Sequence, residues 1–164
     1  MKGSNIQKQN IGNAGEYYIA SRLSAENFIV TITLGRAEKY DILAVNPNHK
    51  TLKISVKTRF LNNVDKFQLS EKDEIGGLDD FYYAFIRLNE FKSEPDFWII
   101  PSKRVNEVLY NSHRKWLSIN PKNKDNPMRN LWIEKTKTSE ELYPKNWLEE
   151  LKKYCKNIEQ LKEI

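Results

Sequence analysis

The nine residues from Leu52 to Phe60 (LKISVKTRF) constrain the fold of this chain more than any other stretch. Leu52, Ile54, Val56, Thr58 and Phe60 fall on one side of an extended backbone; Lys53, Ser55, Lys57 and Arg59 fall on the other. Such a strand lays one side on a core and keeps a cationic side for something else. Two more strand-like runs precede it. Phe28 to Leu34 (FIVTITL) is β-branched and alternating, and Tyr40 to Val45 (YDILAV) follows a polar turn at Gly35 to Lys39. The turn NPNHK, bent by Pro47 and two Asn residues, joins YDILAV to LKISVKTRF as a hairpin.

The remaining elements surround these strands. A helix is expected from about Ala14 to Ala25, with Asn13 as its cap and Glu16 three residues on. The ten residues at the start read as a loose polar arm. Leu69 to Ile75 reads as a short helix capped by Ser70 and ended by Gly76 and Gly77. Phe81 to Leu88 (FYYAFIRL) is a strand buried on both sides, and Phe97 to Ile100 (FWII) is another. A helix follows from Ser102 to about Ser118, then a loop from Asn120 to Asn130. Pro144 opens a final helix in which Leu148, Leu151, Cys155 and Ile158 step by three and four. Helix, three strands, short helix, two strands and closing helices make an α/β or α+β chain with a mixed β-sheet flanked by helices. A length of 164 residues suits one domain, with a core at about 11–101 and a basic, helical extension at about 102–164.

Composition excludes several classes. A single cysteine rules out an internal disulfide framework and a cysteine zinc cluster, and two histidines argue against a His-rich metal site. The longest apolar run is six residues, against the roughly 20 of a membrane helix. No signal peptide is visible at the start. A soluble, cytoplasmic protein with no membrane partner is the expectation.

Three positions carry chemistry. Glu16 shares a helix face with Ile19, Ala20 and Leu23, so a carboxylate heads an apolar stripe. Its plain role is helix capping. Asp41 lies inside an apolar strand, where an acid is costly unless it is paired or binds a cation. Its plain role is a strand-end acid in solvent or beside Lys39. Lys57 shares its strand side with Ser55, and its plain role is a solvated lysine. Together they read differently. Asp41 follows Glu16 by 25 residues, Ser55 follows by 14 more and Lys57 by two. The hairpin brings Asp41 opposite the 55/57 side. Two acids and a lysine at one spot equip a chain for metal-assisted phosphodiester hydrolysis. Carboxylates hold Mg²⁺, the cation lowers the pKa of a bound water, and a lysine steadies developing charge.

GNAGEYYIASRL, YDILAV and LKISVKT, in that order, resemble the PD-(D/E)XK nuclease superfamily, and within it archaeal Holliday junction resolvases and small restriction-endonuclease-like proteins. The likeness covers residues 11–60. It implies a restriction-endonuclease-like core in the order α-β-β-β-α-β. It also implies Glu16 and Asp41 as ligands of Mg²⁺ or Mn²⁺, and Lys57 as the catalytic lysine beside Ser55. There are two departures. Tyr40 stands where the family has proline, and Ser55 stands where it has the motif acid, which removes one formal charge from the metal site.

The net charge of +5 is concentrated in one segment. Between Pro101 and Thr138 nine basic residues face three acidic ones, while the rest of the chain is nearly neutral. Lys103, Arg104, Arg114, Lys115, Lys122, Lys124 and Arg129 are the candidate nucleic-acid contacts. Trp116 and Trp132 sit among them as core residues or as stacking platforms for bases. Two functions follow: a metal-dependent DNA endonuclease of restriction or resolvase type, or a nuclease-fold module, catalytically weakened by Ser55, that binds DNA or a protein. An RNA nuclease of the same chemistry is a third. The last helix docks either on its own domain or on a second copy, which would make a homodimer. Cys155 on its apolar side reads as a small buried hydrophobe.

Overall fold

A computed structural model describes residues 7–33, 40–61, 63–74 and 77–164. Helix α1 (Lys8–Ala25) leads into strands β1 (Ile29–Ile32), β2 (Ile42–Val45) and β3 (Thr51–Arg59). These form an antiparallel meander in which Ile42 pairs with Ile54. Asn46 closes the β2–β3 turn: its side-chain oxygen accepts the N–H groups of Asn48 and Lys50. The chain then passes through β4 (Lys66–Ser70) and a 3-10 turn (Glu71–Glu74) to β5 (Phe81–Arg87), parallel to β3. Strand β6 (Asp96–Pro101) completes a five-stranded mixed sheet in the order β1-β2-β3-β5-β6. Helix α2 (Ser102–Ile119) precedes β7 (Met128–Trp132), which pairs with β4 as a separate two-stranded ribbon. Helices α3 (Lys137–Leu142) and α4 (Trp147–Tyr154) follow. The fold is a mixed α+β one with helices flanking the sheet.

Side-chain alternation places a core on each face of the sheet. Tyr82, Ala84 and Ile86 of β5 join Leu52 and Ile54 of β3 and Phe97 and Ile99 of β6 against Ile19 and Leu23 of α1. Phe81, Tyr83 and Phe85 turn the other way, onto Trp98, the ribbon, α2 and α4. A central strand buried on both sides has to be apolar throughout, which explains FYYAFIRL.

Several expectations are corrected. α1 starts at Lys8, so Asn13 lies inside the helix and does not cap it; Gln7 holds the N-cap position without a side-chain bond. The start reads as an arm because Lys8 to Asn10 are polar and exposed and carry no helical period. The turn at Gly35 to Lys39, Leu34, Ile75 and Gly76 lie outside the described residues. Residues Lys66–Ser70 form a strand, not the approach to a helix. Asp73 accepts both the Ser70 N–H and its hydroxyl, so the acid three residues later is the acceptor and Ser70 is no cap. The segment between β3 and β5 therefore holds a strand and a 3-10 turn where a helix was expected. The loop expected up to Asn130 ends earlier, in β7, and α3 is an additional helix with a Thr136–Ser139 capping box.

The last helix is also shorter than its apolar spacing implies. It stops at Tyr154; Cys155 forms an isolated bridge with Trp98, and the Lys156 N–H donates to Phe97 O. The tail thus caps the edge of β6 and crosses to the opposite face, where Ile158 and Leu161 enter the α1-side core. The Asn46 amide fixes it there by donating to Leu161 O at 2.8 Å. The docking is on the chain's own domain: Trp147 and Leu151 are buried in the second core.

Candidate active site

The site begins with the close seating of α1 on β3. A Cβ at Gly15 would overlap the Thr58 hydroxyl and come within 2.8 Å of Thr58 Cγ2 and 3.0 Å of Ile86 Cγ2. At Gly12 nothing lies within 4 Å. Gly15 is therefore required by packing, and Glu16 follows it directly onto the same part of β3.

Asp41 stands one residue before β2. Its N–H donates to Ile54 O at 2.9 Å, continuing the ladder. Its carboxylate then takes over from the backbone: Asp41 Oδ2 accepts the Val56 N–H at 2.6 Å and the Ser55 hydroxyl at 3.3 Å. The side chain thus fills a rung that β2 has vacated. A carboxylate in the plane of the sheet, past the end of a strand, is open to both faces. Glu16 approaches from the α1 face, and its carboxyl is pushed above the ordinary range, first by burial and then by the Asp41 charge. Ser55, only 5% exposed, lies on the opposite face.

Lys57 is two residues beyond Ser55 on the same side of β3, half-buried, with its ammonium 5.9 Å from the centroid of the Tyr83 ring. The Tyr83 hydroxyl donates to Asp73 Oδ1 at 3.0 Å, and burial raises its phenol strongly, so the ring stays neutral. Lys57 opens into a groove of about 560 Å³ between the start of α1 (Lys8, Ile11, Gly12), the end of β3 (Arg59) and β4 (Phe67, Gln68). Sequence reasoning passed over Lys8, Arg59 and Gln68. Arg59 was legible as a member of the cationic strand side, whereas nothing local signals Lys8 or Gln68. Among the described residues no three His, Cys, Asp or Glu side chains gather where they could hold a metal ion.

The basic segment divides. Arg104 is bonded by both Glu150 oxygens and by Glu107. Arg129 is 5% exposed and its guanidinium is held by Glu74 and by the carbonyls of Asn126 and Met128. These two arginines fasten the ribbon and α4 to the domain. Lys103 pairs with Asp79, and Arg114 donates to the Tyr110 hydroxyl at 2.9 Å. Lys115, Lys122 and Lys124 are exposed. Trp132 is buried at 8%, while Trp116 is half-buried and stacks on His113.

No known family's sequence profile matches the chain, and no curated protein sequence does. Among solved structures, the chain is similar to a bacterial homing endonuclease, I-Ssp6803I, with a TM-score of 0.52 over 96% of this chain and 92% of that one. Sequence identity is 12%. The two chains share a fold. No helix among the described residues is long and apolar enough to cross a membrane.

Proposed function

We propose that this chain is a divalent-cation-dependent endonuclease of the PD-(D/E)XK type that hydrolyses DNA phosphodiester bonds. The observation that carries the reading is the Asp41 carboxylate bonded to Ser55 and Val56, with its charge felt by Glu16 from the other face. The likeness in fold to a homing endonuclease supports it.

The donor set fits Mg²⁺ or Mn²⁺. Glu16 is reluctant to ionise, through burial first and the Asp41 charge second, and a hard cation that accepts carboxylate oxygens and keeps several waters would relieve both. Glu16 and Asp41 would hold it, with the Ser55 hydroxyl beside them. Bound there, the cation supplies Lewis-acid polarisation of the phosphate and a water of lowered pKa. Ser55 and the Val56 amide fix the Asp41 carboxylate in one orientation. Lys57 presents its ammonium to the groove, where it orients the attacking water and stabilises charge on the phosphate. Lys8 and Arg59 line the same groove and neutralise flanking phosphates.

The test is cleavage of linear duplex, branched and single-stranded DNA, and of RNA, with Mg²⁺ or Mn²⁺. Lys57→Ala should lower the rate by at least about a hundredfold without loss of fold, and Asp41→Asn should abolish metal binding measured by calorimetry. Ser55→Glu should tighten the metal. One observation favours a second reading, a DNA-binding module without catalysis: a neutral hydroxyl occupies the third acidic position and spends its proton on Asp41. A folded wild type and Ser55→Glu that both bind DNA, take no metal and cut nothing would establish that reading instead.

A further inference from the structure

Where β7, α2 and α3 meet lies a cavity of about 310 Å³ that the catalytic proposal does not use. Its walls are aromatic: His113 and Trp116 from α2, Trp132 from β7, and Tyr143 after α3. The His113 ring is held in place, with Nε2 2.8 Å from Asp125 Oδ1 and its plane within 25° of the Trp116 ring at 5.5 Å. Asn130 brings an amide to the lining. Lys66 stands at the same cavity with its ammonium 4.4 Å from the Trp132 ring centroid.

We infer that this cavity takes a single unstacked nucleobase from a strand lying in the Lys57 groove. The inference rests on the nucleic-acid reading above. Three features favour a base over other aromatic groups. Flat aromatic walls suit a π-face of any base. An amide supplies both a donor and an acceptor to a base edge. A cation at the lining meets the phosphate that travels with the base. The volume lies at the low end for a small-molecule site, so it suits one base and not two. The ribbon supplies the path. Gln68, which lines the groove, is the direct cross-strand partner of Asn130, which lines the cavity. A strand that crosses the ribbon at this pair therefore leaves the groove at Gln68 and reaches the cavity at Asn130.

The experiment is an affinity scan. A single-stranded oligonucleotide carries one abasic nucleotide moved position by position, and binding is measured to the Lys57→Ala chain so that the strand stays whole. One position should prove sensitive, the missing base weakening binding roughly five- to a hundredfold. Adding Trp116→Ala should weaken the intact strand by a similar factor and make that same position insensitive, because the two changes remove one contact. Asn130→Ala should erase part of the preference among the four bases at that position, and it tests the cavity without an aromatic truncation should Trp116→Ala fail to fold. No sensitive position, or sensitivity that persists equally in folded Trp116→Ala and Asn130→Ala, overturns the inference. Chains that cut DNA while the scan is flat leave the nuclease reading standing and the cavity rejected. Chains that never cut but show the coupled position leave the cavity standing and the nuclease reading rejected.

Discussion

The two faces of the central sheet solve their electrostatics in opposite ways. On the face away from α1 the half-buried acids have partners: Glu150 holds Arg104, Glu74 holds Arg129, and Asp73 accepts from Ser70 and Tyr83. The core there is aromatic, with Phe67, Phe85, Trp98, Trp132 and Trp147 in contact. On the α1 side the core is mostly aliphatic, and Glu16 lies next to the like charge of Asp41. One side is saturated and built for stability. The other leaves Glu16 partly buried within the field of Asp41, the kind of perturbation found at functional carboxylates. The difference teaches where to look for the proposed site: at the like charges of Glu16 and Asp41, whereas Arg104 and Arg129 of the basic segment serve as assembly joints.

The sharpest way to break this contrast is to remove an aromatic anchor. Trp147 is 1% exposed, and its indole N–H donates to Trp132 O at 2.8 Å, so it ties α4 to the ribbon. Trp147→Ala should cost about 3–5 kcal/mol, since it opens a large cavity and orphans a carbonyl. Urea denaturation measures it. A loss smaller than that of Ile54→Ala, on the opposite face, would contradict the assignment of the aromatic side as the main source of stability.

The second largest effect probes the α1 seat. Gly15→Ala should destabilise by about 1–3 kcal/mol, because the added methyl has to displace Thr58 and Ile86. Gly12→Ala, with open space around it, should stabilise by roughly 0.5–1 kcal/mol through helix propensity alone. Thermal melts of the pair give both signs at once. Equal and positive effects would show that α1 does not lie as close to β3 as Gly15 allows.

How much of this was legible in the sequence follows the same division. The β3 alternation, the doubly buried β5 and the approach of Asp41 to Ser55 are all local or one hairpin apart, so their signals survive in the residue order. The ribbon is not local. KFQLS of β4 finds its partner some 60 residues later in MRNLW of β7, and each is too short to show a period of its own. The burial of Arg129 is equally invisible, because its partner Glu74 belongs to a different part of the chain. In the tail, the spacing of Leu148, Leu151, Cys155 and Ile158 mimics one helix. The last two in fact serve a strand edge and the opposite core. Hydrophobic periodicity reports burial, and a chain that changes faces can keep the period without keeping the helix.

The smallest expected effect compares two glutamates by pH. Both have an ordinary value of 4.5. Glu150 is lowered, chiefly by the hydrogen bonds from Arg104, so its contribution to stability is present above the ordinary value and is lost as pH falls through the depressed one. Glu150→Gln should therefore destabilise at pH 7 by about 1 kcal/mol and match wild type in acid. Glu16 is raised, by burial first and the Asp41 charge second, so the folded chain binds its proton more tightly than the unfolded chain does. Stability then falls as pH rises from 4.5 through the raised value, and Glu16→Gln removes that loss. The variant should be slightly more stable than wild type at pH 7 and equal to it at low pH, while losing metal affinity. Urea midpoints from pH 4 to 8 separate the two curves. If Glu16→Gln instead destabilises at pH 7, Glu16 has a partner that compensates its burial, and the α1 face is as saturated as the other.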